Sequence, residues 1–131
     1  MRKSAISALA SVCMLMLVFN AAGSVHASVE VDYEDSGSGV DWSYADKEMP
    51  DGSTAMDLLN ATCNSVAFDW LEWGAFVYGI NGHEANWELD STWYKFTYQH
   101  SGGQPIESDV FLSNYVLQDG DTIGMWWQPV G

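Results

Sequence analysis

The sequence predicts an α+β domain: a β-grasp-like mixed sheet of about five strands with one helix packed on one face. Three observations lead there. Short runs of aromatic or β-branched residues alternate with other residues along the chain, the period of two that turns successive side chains to opposite faces of a sheet. One stretch alone, residues 54–64, carries helical spacing instead. Strands precede this helix and follow it, an order that sets a helix against a sheet rather than alternating the two.

Residues 1–27 come first. Arg2 and Lys3 give a basic start, residues 8–19 are mostly apolar, and Val25 and Ala27 stand at the two positions a signal peptidase reads. They predict a secretory signal cleaved after Ala27 and one domain over residues 28–131, secreted or held in the cell envelope. A retained anchor is the other reading, but the apolar run is short of the ~20 residues that cross a bilayer. Cys13 lacks the small residue expected before a lipidated cysteine. No later segment is long and apolar enough to span, so no membrane crossing is expected after cleavage.

The formal net charge is −14, and all 18 acidic residues lie beyond Ala27, where Lys47 and Lys95 are the only basic ones. Such a balance repels nucleic acid and anionic membranes, which excludes those partners. It suits a solvated surface that keeps an aromatic-rich domain soluble, the simpler reading, or else cationic partners, divalent ions or a saline habitat. With the signal removed, Cys63 is the sole cysteine, so no intrachain disulfide forms. It is either a small buried residue or the site of an intermolecular bridge.

Val29-Glu30-Val31-Asp32-Tyr33 is the first predicted strand, and residues 34–39, EDSGSG, form an acidic loop. Val40-Asp41-Trp42-Ser43-Tyr44 alternates again and pairs back as a hairpin. Residues 47–52, KEMPDG, break the strand with Pro50 and Gly52. In the helix, Thr54 and Asp57 make a capping box, the hydroxyl accepting a backbone N–H and the carboxylate facing the positive end of the dipole. Met56, Leu59 and Cys63, flanked by Ala55 and Leu58, form its apolar stripe, which ends near Asn64. Asn60-Ala61-Thr62 has the pattern of a glycosylation sequon, but a place in mid-helix argues against its use.

Val66, Phe68 and Trp70 give a short strand. The predicted centre of the sheet is a pair of strands, one with Phe76, Tyr78 and Ile80, the other with Tyr94, Phe96 and Tyr98. They are joined through an Asn81-Gly82 turn and the polar residues 83–91. A loop over residues 100–109 follows, then a mixed segment at 110–117. A turn through Asp119-Gly120-Asp121 leads into a last strand with Ile123, Met125 and Trp127. The expected core includes Val31, Met56, Leu59, Phe76 or Val77, and Ile123.

The order of these pieces resembles a known family. Asp51-Gly52-Ser53-Thr54-Ala55-Met56-Asp57-Leu58-Leu59 is similar to the helix entry of the DUF4430 family, related to the C-terminal β-domain of transcobalamin and intrinsic factor. Phe76-Val77-Tyr78-Gly79-Ile80-Asn81-Gly82, Thr92-Trp93-Tyr94 and the run from Tyr115 through Gly120-Asp121 to Ile123 match its further motifs in order. The resemblance spans residues 51–127 and implies a β-grasp-like domain on secreted or surface proteins. It also implies cobalamin or a related corrinoid as the ligand, with a partner domain completing the site, since the vitamin carriers use a separate helical domain for the other half. The sequence departs from the family at Thr97-Tyr98-Gln99 and in the HSGGQP loop after it.

Among the aromatic residues, Trp87, Trp93, Tyr94, Tyr98 and Tyr115 are the candidate ligand-binding set. Flat rings suit corrin, sugar or aromatic ligands, although each of them also serves as packing in a small domain. Trp87 and Trp93 lead, the first because it lies in a polar loop, the second because it faces away from Tyr94, Phe96 and Tyr98. His83 and His100 sit in loops, but no metal-binding spacing accompanies them, and Asp119-Gly120-Asp121 lacks the calcium-loop pattern. No nucleophile elbow, catalytic cysteine–histidine pair or phosphate-cradling glycine loop occurs, so no enzyme and no catalytic residue is expected. The expected function is a binding module for a small molecule. The alternatives are a surface module for another envelope protein, through an exposed sheet edge, and a glycan-binding domain using Trp87 and Trp93.

Overall fold

The computed structural model describes residues 23–33 and 39–129. The basic and apolar parts of the expected signal, Cys13 among them, and most of the acidic loop at 34–39 lie outside these residues. Among the described residues, eight strands form two sheets. Strand β1 (Ser24–Asp32), β2 (Trp42–Pro50), β6 (Thr92–Gln99), β7 (Ile106–Glu107) and β8 (Asp121–Pro129) make one, in the order β2-β1-β8-β6-β7. Strands β3 (Val66–Leu71), β4 (Gly74–Ile80) and β5 (His83–Glu84) make the other. Helix α1 (Ala55–Thr62), a single turn α2 (Trp87–Asp90) and a 3-10 turn (Leu112–Asn114) complete the described elements.

The architecture is therefore mainly β, and the expectation of one sheet under one helix needs correction. The five-stranded mixed sheet is present, with β1 and β8 parallel and the other pairs antiparallel. The segments of Phe76 and Phe96, however, lie in separate sheets. Asn81 and Gly82 both adopt positive φ, 53° and 87°. This two-residue turn folds the chain straight back, so β4, paired on one side with β3, takes the immediately following β5 on the other, Ile80 opposite His83. The chain then crosses through α2 to reach β6. Strand β4 rests against β6 from the other sheet, and the space between the two becomes the site described below.

Strand β1 begins at Ser24, upstream of the expected cleavage point. Val25, Ala27, Val29 and Val31 are buried and alternate with the less buried His26, Ser28 and Glu30, as in a strand covered on one face. Its first residues pair with β2 from Ser24↔Pro50 to Ala27↔Lys47, and Ala27 also pairs with Asp121 of β8. Residues 47–50 thus continue β2 rather than breaking it. Pro50 is tolerated because β2 is an edge strand and the proline is its last residue; the turn comes next, at Asp51 and Gly52.

Helix α1 forms as its sequence directs. Thr54 Oγ1 accepts from Asp57 N at 3.2 Å, and Asp57 Oδ2 accepts from Thr54 N at 2.9 Å. Ala55, Met56, Leu58 and Leu59 are buried, the two leucines completely. Each leucine so buried contributes about 1.5–3 kcal/mol. The core joins this helix face to Val29, Val31, Ile123 and Met125 of the large sheet and to Val77 and Ile80 of β4. Cys63 is half-buried at the helix end, and burial raises its thiol pKa.

Candidate functional site: an aromatic slot between the sheets

Where β4 faces β6, side chains leave a cavity of about 310 Å³. Phe76 and Val77 of β4 form one side, and Trp93, Tyr94 and Phe96 of β6 the other. Trp87 of α2 and Phe111 reach it from the flanks, and the fully buried Met125 of β8 lines it at depth. The lining is apolar except for Glu107, Ser108 and Asp109. An apolar pocket with a few polar groups is the usual form of a small-molecule site, and this volume falls at the lower end of the ~300–1,000 Å³ range.

Local chemistry holds the slot open. Asn86 Oδ1 accepts from Leu89 N at 2.8 Å, capping the α2 turn. The Asn86 N–H donates to Thr92 Oγ1 at 2.8 Å, while Thr92 N donates back to the Asn86 carbonyl at 3.2 Å. This reciprocal pair fixes α2 beside the start of β6 and brings Trp87 against Trp93, edge to face, with centroids 6.2 Å apart. Trp87 nevertheless keeps 52% of its surface exposed. Across the slot, Ser108 N donates to the Phe96 carbonyl at 3.1 Å, and Ser108 Oγ both donates to Val110 O and accepts from Val110 N. That turn sets Glu107 and Asp109 at the lining.

The five residues singled out from the sequence divide. Trp87, Trp93 and Tyr94 come together in the slot. Tyr98 and Tyr115 lie elsewhere, their rings stacked at 4.6 Å beside a buried carboxylate. There Asp121 Oδ2 accepts from Tyr115 Oη and Gln118 N, each at 2.8 Å, and Asp121 Oδ1 lies 2.8 Å from His100 Nδ1. Burial raises the Tyr115 phenol pKa well above its ordinary value, and the Asp121 carboxylate to which it donates raises it further. These bonds tie the 100–105 loop and the 112–118 segment to the start of β8. His83 stacks on Tyr33 at 3.8 Å. Among the described residues no group of three or more His, Cys, Asp or Glu is placed to hold a metal ion.

Sequence reasoning missed Phe76 as a wall residue, along with Phe96, Phe111, Glu107 and Asp109. The apolar triplet Val110-Phe111-Leu112, following a Gly- and Pro-bearing loop, was the available signal. It also missed a second aromatic feature, the β3–β4 turn, where Trp70 and Trp73 are 68% and 67% exposed beside a shallow trough. Asn114 Nδ2 donates to the Trp73 carbonyl at 2.7 Å and fixes this turn. Gly74, at φ 137°, is required there, since a Cβ would meet Ser113 Oγ at 2.8 Å and Phe111 Cβ at 2.9 Å. No helix among the described residues is long and apolar enough to cross a membrane.

No family model and no curated protein matches the sequence. Solved structures do. Haptocorrin in complex with Cbi is similar with a TM-score of 0.60 and 19% identity over 82% of this chain. The likeness occupies 26% of haptocorrin, so this chain spans about a quarter of that protein's length. A protein of Ruminococcus gnavus ATCC 29149, to which metal binding has been ascribed, gives a TM-score of 0.60 and 18% identity over 80% of this chain and 97% of its own. At these identities the likeness concerns the fold alone, a fold that resembles transcobalamin-like domains, and the resemblance to DUF4430 has no family-model match behind it.

Proposed function

We propose that this chain is a non-enzymatic binding module whose ligand site is the aromatic slot between β4 and β6. One observation carries the reading: a pinned, mostly apolar cavity of about 310 Å³ with Trp87 and Trp93 at its entrance. The fold it shares with part of haptocorrin supports a corrinoid as the ligand. A corrinoid is larger than the slot, so the slot would grip one edge of it. A partner domain would cover the rest, in keeping with the small share of haptocorrin that this chain matches. The basic and apolar start of the sequence supports export to the envelope or the medium. Titration with cobinamide, read by tryptophan fluorescence, should saturate in the micromolar range or tighter; a flat titration removes the corrinoid.

The exposed Trp70, Leu71 and Trp73 favour a second reading, a surface module for another envelope protein. Capture of a partner from native envelope without added ligand, lost in Trp70→Ala/Trp73→Ala, tests it.

A further inference from the structure

We infer that the slot selects an organic cation, a quaternary or alkylated ammonium whose positive head lies among the indole and phenyl rings. The inference rests on the slot being the ligand site, though not on the ligand being a corrinoid. Ring faces carry negative charge density and attract a cation lying within about 6 Å of the centroid. Trp87 and Trp93, set edge to face at 6.2 Å, offer a cation more than one ring at once, and Phe76 and Phe111 add further ring surface.

Charge complementarity points the same way. Among the described residues, the ionisable ones lining the slot besides Tyr94 are the acidic Glu107 and Asp109, both exposed, and no lysine, arginine or histidine lines it. On the other flank of Trp87 and Phe76 a shallower trough carries Asp69, Glu84 and Glu88. Trp87 therefore stands between two groups of acids. An overall charge of −14 extends the same field outward. An anionic ligand would be repelled at this entrance, and a neutral one would leave the field unused. A quaternary ammonium sheds its weak hydration easily and presents methyl groups to the apolar walls, so it uses the rings and the carboxylates together.

Choline, its neutral carbon isostere 3,3-dimethylbutan-1-ol and the anion isethionate separate charge from shape. Binding is read from the indole ¹H–¹⁵N resonances of Trp87 and Trp93 in the full chain, with Trp70 and Trp73 as internal references. The expected result is that choline moves the first two and binds about tenfold more tightly than the alcohol, while isethionate moves neither. In Glu107→Gln/Asp109→Asn, with the slot otherwise intact, that advantage should fall to about threefold or less. Equal affinity for choline and the alcohol overturns the charge preference and leaves the slot as an apolar site. If none of the three, nor cobinamide, moves Trp87 and Trp93, both the preference and the slot reading fail.

Discussion

Replacing Asp121 tests the assignment of Tyr98 and Tyr115 to bracing rather than to ligand contact. Its side chain is buried and accepts from Tyr115 Oη, Gln118 N and His100 Nδ1. In Asp121→Ala all three partners are lost. The His100 side chain is 40% exposed, so water replaces its bond at little cost. The other two bonds go to a charged acceptor and are worth about 1.5–3 kcal/mol each, which puts the loss at about 3–6 kcal/mol. Small domains have about 5–15 kcal/mol in total, so the variant should sit near the edge of folding. Asp121→Asn keeps an oxygen for Tyr115 and Gln118 and offers an amide to His100, whose other tautomer can accept. It should lose only the charge assistance, about 1–2 kcal/mol. Urea denaturation of the three proteins measures both values. An alanine variant within 1 kcal/mol of the parent, or an asparagine variant as damaged as the alanine one, refutes the reasoning.

Three other outcomes follow from the fold. A chain beginning at Ser28 discards the buried Val25 and Ala27 and the His26 carbonyl that accepts from Gly120 N at 2.7 Å. It should be less stable than one beginning at Gly23 by about 2 kcal/mol in urea, and equal midpoints would contradict this. Thr54→Ala breaks the capping box and should cost about 1 kcal/mol, with Thr54→Ser nearly neutral in the same denaturation assay. Tyr115 holds its proton more tightly folded than unfolded. Its contribution is therefore complete below the unfolded value of about 10 and falls as pH rises through the folded one. Phenolate absorbance at 295 nm should show late ionisation, and Tyr115→Phe should lower the amplitude of that late step by one tyrosine.

The sequence spoke clearly wherever one short segment settled its own structure. Thr54 and Asp57 announce their helix because the capping box needs only four residues. Strands β3 and β8 announce themselves by alternation, as does the hairpin of β1 with β2. Pairing across distance was harder to read. The aromatic alternation of β4 and β6 is the same whether the two lie side by side or face one another from separate sheets. The deciding feature was the tight Asn81-Gly82 turn, which commits β4 to the two residues that follow it. The parallel pairing of β1 with β8 had no local signal at all. At the site, Trp87 stood out because it is a large ring in a polar loop, and Trp93 because strand alternation turns it away from Tyr94, Phe96 and Tyr98. Glu107, Asp109 and Phe111 looked like ordinary loop residues, since their role depends on Ser108 bonding to β6.

The slot between the sheets is tested most directly by moving tryptophans. Cobinamide and choline would be titrated against the parent, Trp87→Ala/Trp93→Ala and Trp70→Ala/Trp73→Ala, all checked for equal stability. Loss of the Trp87 and Trp93 rings should weaken binding of either ligand by about tenfold or more, while loss of the exposed hairpin pair should leave it unchanged. The reverse pattern, with binding retained when the slot is emptied and lost when the hairpin is stripped, would contradict the account.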